Sequence, residues 1–189
     1  MNPAKRKPIE LALIVLLCAA PVAASYLAYY FWPPQRHVNH GELLDPRPLP
    51  DAAFSTLDGG AFHIGQLKGK WVMLMVDSGA CDAWCSEKLY DMRQVRLTQG
   101  KDSDRIERVW LIDDGARPAA ELGAQYAGTW FVDARASAWL ERLPVVRSAH
   151  DHIYLIDPLG NLMMRYPRGA DAEGFKKDIT RLLRVSRIG

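Results

Sequence analysis

The sequence predicts an α/β sandwich with a mixed central sheet, preceded by one N-terminal transmembrane helix. Three observations predict it. A basic cluster is followed by an apolar run over 11–32; two continuous apolar runs of strand length are each followed by a helix-like segment; and a strand–turn–strand pattern is closed by an amphipathic segment. With 189 residues, 49% of them hydrophobic, the chain has material for one packed domain and an appendage.

Residues 1–10 carry Lys5, Arg6 and Lys7, a cluster that keeps this end in the cytoplasm. The run 11–32, as a helix, spans roughly 30 Å of hydrocarbon. Tyr26, Tyr29, Tyr30 and Trp32 gather at its far end as an interfacial belt. The expectation is a single-pass anchor with the remainder on the extracytoplasmic (periplasmic) side. A signal peptide cleaved after Ala24 in "PVAAS" is the competing reading, and the aromatic continuation past Ala24 favours the anchor. Cys18, alone in this stretch, reads as a small hydrophobe.

Residues 33–50, "PPQRHVNHGELLDPRPLP", are proline-rich without a sustained period and read as a semi-rigid tether, with His37 and His40 as solvated linker histidines. The domain proper is expected over 51–189. It opens with a hairpin about Asp58, Gly59 and Gly60. "KWVMLMVDS" is then a strand buried on both faces, and "SEKLYDMRQVRL" a helix with Leu89, Met92 and Val95 on one side. "RVWLIDD" repeats the buried-strand pattern, and "RPAAELGAQYAG" has proline near its start and glycine at its end, as helices prefer. "TWFVDA" is a short strand and "SAWLERL" a short helix. "HIYLIDPLGNLMMRYP" gives two strands about a Pro158–Asn161 turn, and "ADAEGFKKDITRLLR" a final amphipathic helix.

The 24 basic and 22 acidic residues are mixed along the chain, so no field of one sign points to nucleic acid. Three cysteines are too few for a disulfide-stapled scaffold. The chemistry therefore centres on Cys81 and Cys85, where a buried strand gives way to a helix. Unpaired N–H groups and the helix dipole stabilise a thiolate there. Asp82 opposes that by its charge, or caps the helix. The spacing puts the two α-carbons about 6 Å apart, near the upper usual limit for a disulfide, so a bridge can form and is expected to be strained and reducible.

The same sulfurs can instead converge on a soft ion such as Cu(I), leaving a third position to fill. "SAHDHIYLIDPLG" supplies His150 and His152. Both point to the same face as Tyr154 if the strand extends that far; His150 is favoured because a loop reaches the cysteines more freely than a strand.

These ordered pieces resemble the Sco/SenC family of membrane-anchored, thioredoxin-like proteins that take part in cytochrome c oxidase assembly. The likeness runs through the anchor, the proline-rich segment, "FSTLDGGAFHIGQLKGKWVMLMVDS", the CxxxC at Cys81 and Cys85, "SEKLYDM" and "HIYLIDPLGN". It implies a thioredoxin-like sandwich. It also implies Cys81 and Cys85 as copper ligands and redox pair, with His150 or His152 as the third ligand. The expected partners are an oxidase subunit carrying a copper site and thiol–disulfide exchange partners, and the expected role is copper delivery or thiol reduction. The chain departs from the family in placing Asp82 and Ser86 after the cysteines, where proline is usual, and Trp84 inside the loop. A metal-free thiol–disulfide oxidoreductase and a non-catalytic assembly factor are the alternatives.

Overall fold

The computed structural model describes residues 6–31 and 39–188. Lys5, Trp32, His37 and the first part of the expected tether lie outside them. The chain divides into two units, 1–38 and 39–189. In the first, α1 (Arg6–Phe31) continues through Pro21. Its stretch Ala12–Phe31 has a mean hydropathy of 2.0 and none of it is buried, so it is long and apolar enough to cross a membrane.

The second unit is built on one eight-stranded mixed sheet in the order β1-β8-β7-β4-β5-β6-β2-β3. Its strands are β1 (Glu42–Pro48), β2 (Ala53–Thr56), β3 (Ala61–His63), β4 (Trp71–Asp77), β5 (Ile106–Ile112), β6 (Thr129–Asp133), β7 (His152–Ile156) and β8 (Asn161–Pro167). The helices are α2 (Ala83–Thr98), α3 (Ala120–Gln125) and α4 (Ala172–Val185). The pairs β4–β5 and β5–β6 are parallel, with α2 and α3 in the crossovers, and the other pairs are antiparallel.

Every residue of β4 is buried, because both of its faces are covered. On one face Met73 and Met75 pack with Cys85, Leu89 and Met92 of α2 and Phe175 and Ile179 of α4. On the other, Val72, Leu74 and Val76 pack with Phe62, Trp139 and Tyr154. Trp71, Trp84, Trp110 and Trp139 are buried and Trp130 is partly exposed, so most of the tryptophans serve the core.

The expected tether differs from what is seen. Its residues Glu42–Pro48 form the edge strand β1 on β8, with Glu42 opposite Arg165 and Pro48 opposite Asn161. Proline is tolerated there because an edge strand needs hydrogen bonds on one side only. Arg165 Nε donates to Glu42 Oε2 at 2.7 Å across the pair. The segment read as "SAWLERL" helix is a 3-10 turn over Ala138–Arg142.

On α2, burial and then the charge of Glu87 one turn earlier push Asp91 up to about 6 from its ordinary 3.8. The folded chain thus holds this proton more tightly than the unfolded one. The stabilisation is complete below 3.8 and is lost as pH rises through about 6. Asp91→Asn is expected to raise stability at neutral pH by about 1–2 kcal/mol, after allowance for solvent screening. It should also flatten the dependence of Tm on pH between about 4 and about 7, which calorimetry across that range checks.

Candidate active site

β4 ends at Asp77 and α2 begins at Ala83, and the loop between them carries the chemistry. Asp82 is the N-cap of α2, its carboxylate accepting the Cys85 N–H at 2.8 Å. This explains the aspartate where the resembled family has proline: the side chain satisfies a donor that the first helical turn leaves free. Asp82→Ala is expected to cost about 1 kcal/mol, read as a lowered Tm.

Cys81 and Cys85 are joined in a disulfide with α-carbons 5.1 Å apart. Cys81 has φ 45, in the left-handed region that a non-glycine residue enters only when its surroundings hold it. Here they do. Ser78 Oγ donates to Asp114 Oδ2 at 2.5 Å, and the Gly79 and Ala116 N–H groups both donate to Asp114 Oδ1 at 3.0 Å. Those bonds, the Ser78 hydroxyl foremost and then the Gly79 N–H, hold the Asp114 carboxyl below the usual carboxylate range. Gly79 lies so close to the next loop that a Cβ would fall 2.0 Å from Ala116 O, so only glycine fits.

The two sulfurs differ in access. Cys85 is fully buried in the core under α2, whereas Cys81 is part-exposed, with Ser86 Oγ 3.8 Å from its Sγ. A buried ion pair anchors the same junction: Lys88 Nζ lies 2.7 Å from Asp77 Oδ2, with the Lys88 side chain 0% and the Asp77 side chain 7% exposed. Lys88 also donates to Val76 O at 2.9 Å and to His150 O at 2.7 Å. Burial pulls the Lys88 pKa below the ordinary lysine value, and Asp77 opposes that shift. Trp84, inside the CxxxC loop, donates from Nε1 to the same His150 carbonyl at 2.9 Å. Its ring lies 5.9 Å from Lys88 Nζ and 5.3 Å from the Arg168 guanidinium.

Of the two candidate histidines, the structure ties His150 to the cysteine loop and carries His152 elsewhere. His150 sits in a 3-10 turn, Ala149–Asp151, so strand alternation does not reach it. Its Nε2 is 2.7 Å from Asp113 Oδ2 and its Nδ1 3.6 Å from Asp77 Oδ1. His152 begins β7, is buried, and packs its ring 5.6 Å from Tyr154, whose side chain belongs to the core on the sheet face opposite Cys85. Its Nδ1 is 3.1 Å from Ser148 O, and burial lowers its pKa and favours the neutral ring.

Cys81, Cys85 and His150 are the ligand types copper takes. As held, they do not form a Cys2His site: the sulfurs are bonded to each other and both His150 nitrogens face carboxylates. Among the described residues, no group of three or more His, Cys, Asp or Glu is placed to hold a metal ion. The arrangement itself is a disulfide with a part-exposed sulfur in front of a buried one, a geometry with which thiol–disulfide exchange is chemically compatible without rearrangement. Asp77, Lys88 and Asp113 were not singled out by the sequence, although Lys88 falls on the buried stripe of α2 with Cys85, Leu89, Met92 and Val95.

Residues 71–186 match the model of the transmembrane-like, thioredoxin-like C-terminal domain family, and the chain belongs to that family. Comparison with curated proteins gives no match. Among solved structures, copper-bound Sco1 from yeast is similar, with a TM-score of 0.61 and 16% identity over 76% of this chain and 96% of that one. Copper-bound ScoI from Bradyrhizobium japonicum has a TM-score of 0.55 and 18% identity over 71% and 99%. The thioredoxin domain of a thiol-disulfide oxidoreductase from Bacteroides vulgatus has 0.55 and 16% over 75% and 99%. The Sco/SenC likeness is thus a likeness of fold, a thioredoxin-like sandwich shared with copper-bound Sco structures and with a thiol-disulfide oxidoreductase domain alike.

Proposed function

We propose that this chain is a membrane-anchored, Sco-like thiol–disulfide exchange protein that reduces cysteines of a cytochrome c oxidase subunit during assembly of its copper site. Its domain lies on the extracytoplasmic side, where thiols of target proteins oxidise readily. The observation that carries the reading is the asymmetric disulfide at the mouth of α2, part-exposed Cys81 in front of buried Cys85.

In the reduced protein the helix N-terminus favours the Cys81 thiolate, which attacks one sulfur of a target disulfide. That bond breaks, the other target sulfur leaves as thiolate, and a mixed disulfide forms. Cys85, having lost its proton, then attacks Cys81 Sγ and expels the second target thiolate. Two electrons have passed to the target, which takes up two protons, and Cys81–Cys85 is again a disulfide. A thiol reductant must restore the dithiol for the next cycle.

Copper delivery is the second reading, with copper as cargo. Two observations favour it: copper-bound relatives share the fold, and His150 is held against the cysteine loop. On that reading the reduced pair and His150 would hold the ion, and His150 would first have to leave Asp113.

Anaerobic titration of the reduced full-length chain separates the two. Exchange with a model disulfide together with no stoichiometric Cu(I) uptake supports the reductase. Stoichiometric uptake that His150→Ala weakens and His152→Ala leaves unchanged supports delivery. Absence of both behaviours removes the proposal and leaves the non-catalytic assembly factor.

A further inference from the structure

The loop after β5 and the turn between β2 and β3 border a cavity of about 170 Å³ at the end of the sheet where the disulfide lies. It adjoins the redox loop directly. Asp114, on its wall, holds Ser78 Oγ and the Gly79 N–H, and Gly79 packs against Ala116, also on its wall. The Cys81 N–H donates to Ser78 O at 3.1 Å, a tight turn that keeps the two α-carbons within about 7 Å of each other. Leu57 and Ile112 supply apolar lining, and both pack, with Cys81, in or against the core cluster that contains Cys85.

The polar groups of this cavity are unequally used. Both oxygens of Asp114 hold donors, and both oxygens of Asp133 hold Arg135, through Nε at 3.0 and 3.1 Å and Nη2 at 2.7 Å. Arg135 Nη1 is left over, and it would stand 3.8 Å from a Cβ on Gly115. Exposed Arg117 also lines the cavity, and among the described residues its guanidinium takes part in no ion pair or hydrogen bond. The two arginines and two aspartates balance in charge, so what the cavity offers a ligand is unused guanidinium donors. The group that matches them is a carboxylate. No large apolar side chain is exposed in 56–60, 78–83 or 113–117, so this rim lacks the apolar centre of a protein-docking face and suits a small ligand.

We propose that this cavity seats a carboxylate of a small acidic thiol, the reductant that restores the dithiol; the inference rests on the exchange reading above. The cavity is that of the oxidised protein, which meets the reductant, whereas a target disulfide meets the dithiol. The seated molecule, as thiolate, attacks part-exposed Cys81 Sγ. The Cys81–Cys85 bond breaks, and Cys85 leaves as thiolate and takes up a proton. A second small thiolate then attacks the sulfur of the first, and Cys81 is released as thiolate. Two thiols have given two electrons to the protein and leave as their own disulfide.

The test uses the full-length chain in an uncharged detergent, with glutathione as the acidic thiol. Calorimetric titration of the oxidised chain with S-methylglutathione, which cannot reduce it, should show saturable binding. Arg117→Gln should weaken that binding about tenfold, as loss of a hydrogen bond between charged groups does. Gly115→Leu should abolish it. The backbone there is outside the left-handed region, and Arg135 Nη1 is the one atom within 4 Å of the added Cβ, so the new side chain occupies the cavity. In both variants the rate at which glutathione opens the bridge, divided by the rate for uncharged 2-mercaptoethanol, should fall about tenfold. No saturable binding in the unaltered chain, or an unchanged rate ratio in Arg117→Gln, overturns the cavity assignment and leaves the exchange reading standing. A bridge that neither thiol opens in the folded chain overturns both. If Gly115→Leu does not fold, Arg117→Gln, at an exposed position, decides alone.

Discussion

Cys85→Ser is expected to abolish turnover of a disulfide substrate, by on the order of 10³-fold or more, while still letting the first chemical step occur. The two cysteines act as a unit, so losing the second sulfur leaves the mixed disulfide on Cys81 with nothing to resolve it. The covalent adduct should therefore accumulate and be visible by mass as one target chain per protein, released by added dithiothreitol. Cys81→Ser should lose turnover to the same degree and form no adduct, because the remaining sulfur is sealed in the core under α2. Serine at position 85 is a small change in volume for a buried site, so circular dichroism should show the fold retained in both variants. Equal adduct formation by the two variants would remove the assignment of Cys81 as the attacking sulfur.

Lys88→Met is expected to destabilise the folded chain by about 3–5 kcal/mol, because it strands the Asp77 carboxylate at the end of a fully buried strand. Asp77→Asn should cost a similar amount, through the unpaired Lys88 ammonium that no solvent reaches. The double replacement Asp77→Leu with Lys88→Met removes both charges together and should recover much of the loss, although the carbonyls of Val76 and His150 would still lack the donor that Lys88 gave them. A double-mutant cycle from chemical denaturation measures the coupling, and purely additive losses would contradict the paired account. The pair also has a positional consequence. Lys88 and Trp84 both hold the His150 carbonyl, so Lys88→Met should loosen the turn that presents His150 and alter the reactivity of the disulfide beside it.

The reading of the sequence and the structure agree most closely where burial decides the backbone. "KWVMLMVDS" is apolar throughout because β4 is covered on both faces, and the CxxxC follows it at the strand–helix junction because that strand is central. β1 was hidden for the opposite reason: an edge strand needs little hydrophobic pattern, and its prolines and charges look like those of a linker. The histidines divided on a boundary. Whether alternation reaches His150 depends on where β7 starts, and it starts at His152, leaving His150 in a turn that faces Asp113 and Asp77. Asp77 and Lys88 were not legible as a pair because an ion pair between strand and helix is a tertiary event. Lys88 alone, on the buried stripe of α2, was the signal that a partner charge lies beneath.

Quantitative alkylation of the folded full-length chain, poised across a series of glutathione ratios, tests the central claim most directly. The account predicts that Cys81 and Cys85 pass together between disulfide and dithiol without unfolding, and that limiting iodoacetamide then labels Cys81 and spares Cys85. A bridge that opens only when the domain unfolds, or label found first on Cys85, would contradict it.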